Sequence, residues 1–502
     1  MINVHIGDSY VLVTPHVPED IKRVLTYWHR SLKYDEEQHQ RIAKGESRRL
    51  FTYNMGIDPT TNVLGEQLVT FPGLANKIMA KLRSTQTPFK VLDQRTPRPP
   101  YDLKKAFSRL RDYQHHCVHD ALWAGGGIIS CPTGWGKTHV MGALIRAHDR
   151  DDMALRNTPM TVVITPGVDL AKKNYRDLAE DILPDRDVGL ICTGAKRYSD
   201  DVQVVTPDSL HKVNLKECGL LIYDEVHTLT EKRAERVMEA THAMRYGVSA
   251  TPSGRFDGAD LMTEGVFGPV VYHRTYQEAI EDEAVVPIRV YWVEVPPPDG
   301  WLSCRSKDAT YRHGVWRYAP MHQTVSDIWN KIPDDMQTLG IVDKIEHMNR
   351  LAPFLDGTTM VHAETSAAAL TKKRFANISA VSKKEREAVY KKMESGALKR
   401  TVSSGIYRTG VNFPKLTVLV NLAGMGSEII AGQLPGRASR NIEGKECAFL
   451  IDFWRPWDIV VKEDLTSKPS FIFRDDMKRE QMYAALGFEQ QWVGSDLSKV
   501  VF

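Results

Sequence analysis

The stretch "SCPTGWGKTHV", residues 130–140, follows the apolar pair Ile128-Ile129 and opens a segment with helical spacing. A strand that ends in such a loop and passes into a helix is built to hold phosphate. Backbone N–H groups line the turn, and the helix N-terminus adds the positive end of its dipole. Pro132, Thr133, Gly134, Trp135 and Gly136 form the loop, with the two glycines supplying its conformational freedom. Lys137 offers a point charge to the β and γ phosphates of ATP, and Thr138 a hydroxyl to Mg2+. Where the usual pattern begins with glycine this chain has Cys131, and the position requires only a small residue as the chain leaves the strand. Alkylation of that thiol is expected to add bulk beneath the phosphates.

Asp224, eighty-seven residues beyond Lys137, lies in "LLIYDEVH", residues 220–227. Four apolar or aromatic residues make a buried strand, and Asp224 stands at its carboxyl end. A carboxylate there, beside a phosphate loop, can hold Mg2+, and the next one, Glu225, can orient and deprotonate an attacking water. The two stretches together predict a parallel α/β sheet with a nucleotide at the carboxyl ends of its strands.

The rest of the chain extends this frame. At 502 residues, 42% hydrophobic and 26% charged, it is long enough for two or three cores, and it has no apolar run of membrane-spanning length. The opening "MINVHIGDSYVLV" alternates like a strand and lacks the features of a secretory signal, so a cytoplasmic protein is expected. Six cysteines without a CxxC pair suggest neither disulfides nor structural zinc. A net charge of +3 by itself decides nothing about partners.

Residues 1–95 are expected to form a small α/β module with two short strands, a helix from Pro18 into Leu32, and a second helix in "GLANKIMAKLR". In residues 1–100 fourteen Lys/Arg face ten Asp/Glu. The proline-rich "QRTPRPPYDL" is expected to link this module to a first α/β domain over 100–295, with "TVVIT", "VQVVT", "GLLIYDE" and "YGVSA" as strands. A connection over 296–335 leads to a second α/β domain over 336–460. Its expected strands are "TLGIVD", "TTMVHAE", "TVSSGI", "LTVLVNLAG" and "CAFLIDFW", and 461–502 is expected as a C-terminal extension, either a cap on the second core, the favoured reading, or an added helical contact for DNA. Trp316, Trp454 and Trp457 are expected to pack rather than to stack on bases.

Further motifs fall in a fixed order. They are "LRDYQ" (110–114), "ITPGVDLAKKNYRDL" (164–178), "VVTPDSL" (204–210), "GVSATPSGR" (247–255), "SSGIYRTGVNFP" (403–414) and "QLPGRASR" (433–440). With the phosphate loop and Asp224-Glu225-Val226-His227, this set resembles the superfamily 2 DExH-box helicases and translocases over residues 105–455. The resemblance implies two tandem RecA-like domains, parallel sheets flanked by helices, that close on ATP, with the N-terminal module binding duplex DNA.

Residue by residue, the resemblance implies that Arg111 and Gln114 contact adenine. His227, Ser249 and Thr251, with Gly410 and Asn412, would couple the ATP site to nucleic acid. Thr165, Pro166, Thr206, Ser209, Ser403 and Ser404 would meet the DNA backbone. Gln433, Arg437 and Arg440 would complete catalysis, and the later arginine is the better match to a finger that stabilises charge on the γ phosphate.

Within the superfamily the arrangement is similar to the phage branch-migration helicases. That similarity implies ATP-driven remodelling of branched DNA, such as Holliday junctions, stalled forks, D-loops and R-loops, in recombination, repair and replication. It also implies a phage-encoded or bacterial origin, single-strand-binding or recombination proteins as partners, and no membrane. An RNA helicase and the motor subunit of an ATP-dependent restriction system are the alternatives. "RDYQ" and the Arg255 and Asp257 that follow "SATP" favour DNA, and residues 1–95 show no convincing nuclease constellation.

Overall fold

The computed structural model describes residues 1–35, 40–95, 101, 103–148, 160–251, 257–298, 306–407, 413–424, 435–460 and 467–502. The chain divides into two compact units: Met1–Cys131 with Gly136–Arg274, and Pro132–Trp135 with Thr275–Phe502.

The first unit begins with strands β1 (Ile2–Ile6) and β2 (Val11–Thr14), helix α1 (Glu19–Val24), and strands β3 (Thr26–Asp35), β4 (Gln40–Arg49), β5 (Phe51–Ile57) and β6 (Leu64–Thr70). Helix α2 (Ala75–Ser84) and strand β7 (Phe89–Asp93) complete the module, whose main sheet is ordered β5-β6-β2-β1-β7. The helix expected from Pro18 into Leu32 stops at Val24. From Thr26 the aromatic and β-branched residues instead form a ribbon with β4, paired without a break from Thr26↔Arg49 to Asp35↔Gln40. Ile21 and Leu25 are buried at helical spacing, and the cross-strand partner, invisible to a local pattern, captures everything after them.

Helices α3 (Leu103–Phe107) and α4 (Asp112–Ala124) lead to strand β8 (Gly127–Ser130) and helix α5 (Lys137–Ala147). Then follow β9 (Met160–Ile164), α6 (Val168–Arg176), β10 (Val188–Cys192), β11 (Ala195–Arg197), β12 (Val202–Val205), β13 (Cys218–Asp224), α7 (Glu231–Met238), β14 (Met244–Ser249), α8 (Asp260–Phe267) and β15 (Val270–His273). The sheet runs β11-β10-β12-β9-β13-β14-β8-β15 and is parallel except at β11. Its central strands are near-continuous apolar runs because helices cover both faces.

The N-terminal module and this sheet share one apolar core, from Ile2, Val13 and Leu74 to Leu221, Val226 and Phe267. Lys77 pairs with Glu264 at 3.1 Å, and the Arg245 guanidinium donates to the Asp8 carbonyl at 3.2 Å. The proline-rich stretch therefore does not separate two cores.

In the second unit, helix α9 (Tyr276–Glu281) precedes β16 (Ile288–Glu294), α10 (Lys307–Tyr311), α11 (Ala319–Lys331), β17 (Gln337–Ile341), α12 (Ile345–Leu351), β18 (Thr359–Val361), α13 (Ala367–Lys372), α14 (Lys383–Ser395), β19 (Arg400–Ser403), β20 (Leu416–Asn421) and β21 (Ala448–Trp454). A short hairpin, β22 (Asp458–Val460) with β23 (Ser467–Pro469), leads to helix α15 (Phe471–Ala485) and strand β24 (Glu489–Gly494). The order β18-β19-β17-β20-β21-β16-β24 is parallel throughout.

All nine strands expected in the two α/β regions form. Strand Ile288–Glu294, grouped by sequence with the first domain, pairs into this second sheet, and the C-terminal tail contributes an edge strand to it. The stretch 296–335, expected as a connection, supplies core residues Tyr311, Trp316, Met321, Ile328 and Trp329. Trp316 and Trp457 are buried, as packing residues should be.

A buried charge network pins the tail. Asp452 of β21 accepts two hydrogen bonds from Arg479 of α15, each 2.9 Å, and others from Asn421 and the Tyr483 hydroxyl, each 2.9 Å. Asp476 accepts from Arg479 at 2.8 Å and from Arg455 at 2.5 and 3.0 Å. The Gly424 carbonyl accepts from Arg479 at 2.6 Å and Tyr311 at 2.5 Å. Two guanidinium groups and two carboxylates balance within a dry interior, which makes their burial tolerable.

Candidate nucleotide site

Strands β8, β14 and β13 are neighbours in register, with Ser130 opposite Ser249 and Val248 opposite Asp224. Their carboxyl ends therefore release the phosphate loop, the Ser249–Thr251 segment and the Asp224–His227 segment on one edge of the sheet, where open α/β sheets bind ligands.

Gly134 and Gly136 have φ of 95° and 97°, a backbone region costly for other residues. Helix α5 begins at Lys137, whose Nζ donates to the Cys131 carbonyl at 3.1 Å. The backbone N–H groups of Gly134, Gly136 and Thr138 make no hydrogen bond among the described residues. Unsatisfied amides around a turn at a helix start fit a polyphosphate. Cys131 is fully buried. Trp135 is buried too, its indole N–H donating to Asp282 at 3.1 Å within the second unit.

Gln114 braces the loop. Its Oε1 accepts from the Arg111 N–H at 3.1 Å and its Nε2 donates to the Gly136 carbonyl at 3.3 Å. Arg111 is exposed at the start of α4.

Asp224 is buried at the end of β13, where desolvation and the neighbouring Glu225 carboxylate push its acid up to about 6. Asn174 Nδ2 donates to Asp224 at 2.8 Å and to the Thr165 hydroxyl at 3.2 Å. Asn174, on α6, is a residue that sequence reading missed; the "KKNYR" around it looks like any polar helix face. Glu225 has φ of 50°, left-handed backbone that a non-glycine residue adopts only when its surroundings enforce it. His227 Nδ1 lies 2.9 Å from the Ser249 hydroxyl and 3.4 Å from Glu225. The Ser249 hydroxyl accepts from the Thr251 N–H at 3.1 Å, and the buried Thr251 hydroxyl has no hydrogen-bond partner among the described residues. A chain of polar contacts thus runs from Glu225 through His227 and Ser249 to Thr251.

In the second unit, Arg437 is buried in a 3-10 turn over Pro435–Arg437. The Ser439 carbonyl accepts from the Val286 N–H at 2.7 Å. The ammonium of Lys445 bonds to the Ala438 and Leu416 carbonyls, and burial with nearby Arg440 holds it down to about 8. Gly410, Asn412 and Gln433 lie outside the described residues. Of the residues expected at DNA, Thr165, Thr206, Ser209, Ser403 and Ser404 are buried, and Ser403 donates to the Ser404 carbonyl at 2.8 Å. Their side chains face inward; Pro166 alone is half-buried.

A carboxylate poised near 6 and supported by one amide gives a clear expectation. Above about pH 6 the native state carries the burden of a buried charge, so this group's effect on stability worsens as pH rises from about 4 through 6. Cation-dependent turnover should instead fall below about pH 6 as Asp224 protonates. Asn174→Ala removes a bond to the ionised form, and should lower turnover about tenfold and move that acid limb upward. A pH–rate profile unmoved by the substitution would refute this role for Asn174.

Fold and site define a class: an ATP-hydrolysing enzyme with two parallel-sheet RecA-like domains, similar to the superfamily 2 helicases and translocases. Residues 107–254 match the family described as type III restriction enzyme, res subunit. Over 495 residues the chain is 23% identical to helicase 22 of Sulfolobus islandicus filamentous virus, itself a candidate helicase, covering 94% of this chain and 83% of that one. It is 26% identical over 369 residues to the DNA 3'-5' translocase XPB2 of Sulfurisphaera tokodaii, covering 68% and 81%.

Among solved structures, the RNA-bound Dbp5 of S. cerevisiae is similar in fold, with a TM-score of 0.54 and 12% identity over 79% of this chain and 94% of that one. T4 UvsW aligns over 98% of this chain and 99% of its own at 15% identity and a TM-score of 0.42. Among the described residues no helix is long and apolar enough to cross a membrane.

Proposed function

We propose that the chain is an ATP-driven DNA translocase that remodels branched DNA, the reading carried by the Glu225–His227–Ser249–Thr251 contacts beside the phosphate loop. Lys137 and the loop amides bind the phosphates of ATP. Thr138 and Asp224 would hold Mg2+, which neutralises phosphate charge when bound. The donor set suits a hard cation that keeps waters and nucleotide oxygens: one hydroxyl and one carboxylate, with no cluster of three His, Cys, Asp or Glu among the described residues.

Glu225 orients the attacking water and accepts its proton. Gln433, Arg437 and Arg440 assist at the transferring phosphate, Arg440 as the finger, and Arg111 and Gln114 hold the base end of the site. His227, Ser249 and Thr251, with Gly410 and Asn412, relay the nucleotide state to DNA. Because the candidate DNA side chains are inward, backbone amides and Pro166 are the better contacts in those segments, and sequence preference should be weak.

DNA, rather than RNA, is supported by the XPB2 relative, which is named as a DNA translocase. Partners in recombination, and work in the cytoplasm of a phage-infected or bacterial cell, belong to the same proposal. The deciding experiment compares ATP turnover with a four-way junction, linear duplex, single-stranded DNA and RNA. The junction should stimulate most, and stimulation by RNA alone would overturn the reading. ATP-dependent cleavage of plasmid DNA would favour a restriction motor instead.

A further inference from the structure

Of the chain's ten tryptophans, Trp28 on strand β3 is 58% exposed and stands in unusual company. Register places Thr26, Trp28 and Arg30 opposite Arg49, Ser47 and Gly45 of β4, so these six share one face of the ribbon. The indole lies across Gly45, where a Cβ would stand 2.2 Å from its Nε1. Any side chain at 45 would displace the ring. Arg30 and Arg49 flank it, both exposed, and neither has an ion pair or side-chain hydrogen bond among the described residues.

The opposite face is turned in. Tyr27 is buried, and Arg48 pairs with Glu46 at 2.6 Å and with Glu231 of α7. The ribbon is also seated on the chain that leaves the Ser249–Thr251 segment. The Arg30 N–H donates to the Asp257 carbonyl at 3.0 Å, and a Cβ on Gly258 would stand 2.3 Å from the Trp28 carbonyl.

An exposed, flat-lying indole between two unpaired arginines matches the chemistry of nucleic acid: a ring face for a base and cations for the phosphates on either side. Stacking requires a base already free of its neighbours, so the occupant is a strand with unpaired bases rather than intact duplex. We propose that the outward face of the β3–β4 ribbon binds unpaired DNA at a junction, Trp28 stacking on a base and Arg30 and Arg49 holding the flanking phosphates. Its seat on Asp257–Gly258 places that contact a few residues beyond Thr251. This inference rests on the DNA reading above and adds a site to it.

The test titrates the full-length protein into fluorescein-labelled DNA, either a fork with unpaired arms or a blunt duplex. Trp28→Ala should weaken fork binding about tenfold and leave duplex binding nearly unchanged. Trp28→Phe should restore most of the loss, and Gly45→Val, which keeps the indole but displaces it, should reproduce it. Arg30→Ala/Arg49→Ala should reduce the slope of log affinity against log salt by about 1.4, two phosphate contacts at about 0.7 each. Fork-stimulated ATP turnover should fall in step with fork binding.

Wild-type binding to the fork with Trp28→Ala unaffected would overturn this site alone. Equal losses on fork and duplex would overturn the stacking role. A wild-type protein that binds no forked DNA would overturn both this site and the DNA reading.

Discussion

Lys137→Ala is expected to lower ATP turnover by at least about a hundredfold while leaving nucleic-acid binding within a few-fold of wild type. The ammonium sits at the first residue of α5 and reaches back to the Cys131 carbonyl, spanning the turn that the unsatisfied amides surround. With phosphate bound, that charge would stabilise the β and γ oxygens where negative charge develops, and alanine offers nothing in its place. Nucleic-acid affinity should survive because it is a sum over many phosphate contacts, none of them made by Lys137. Single-turnover hydrolysis beside fluorescence anisotropy separates the two effects. Undiminished turnover in the variant would remove this loop from the mechanism, and lost DNA binding would mean that the substitution had damaged the fold.

Arg479→Leu carries the largest expected effect on stability, about 3–5 kcal/mol against the second unit. The guanidinium bridges Asp452 and Asp476 and caps the Gly424 carbonyl, all in the dry interior. Removing it leaves Asp452 with Asn421, Tyr483 and the Phe453 N–H, and Asp476 with Arg455. The apolar isostere cannot compensate, because its partners remain charged. Urea unfolding monitored through the buried Trp292, whose ring lies within 6.0 Å of this guanidinium, should show the loss. A change below about 1 kcal/mol would show that water or rearranged partners replace the arginine. Gly424 heads the stretch leading to Arg437 and Arg440, so turnover should fall alongside stability.

Residues 130–140 and 220–227 announced their structure because phosphate loops and strand-end carboxylates are local: the strand, turn and helix are consecutive in the chain. The nine expected strands form for the same reason, since a strand buried on both faces is apolar along its whole length. Cys131 likewise proved a small buried residue at a strand exit. Features made by partners far apart in sequence were not legible. Asn174 reaches Asp224 across fifty residues and the Arg479–Asp452 pair spans twenty-seven, and neither leaves a periodic trace.

The spacing of Ile21, Leu25 and Leu32 overextends the N-terminal helix, because the partner strand that claims Thr26 onward, Gln40–Arg49, comes later in the chain. The second sheet's β16 and β24 were misplaced because a parallel neighbour can come from anywhere in the chain.

The sequence by itself determined the proposed chemistry and its order: a phosphate loop, a carboxylate pair and an arginine segment on α/β scaffolding, since each needs only its own few residues. Tertiary structure alone decided which side chains face inward, which amide steadies Asp224, which strands belong to which sheet, and that Trp28 lies exposed between two arginines. Those properties depend on burial and on the other strand, and burial is a property of the folded chain.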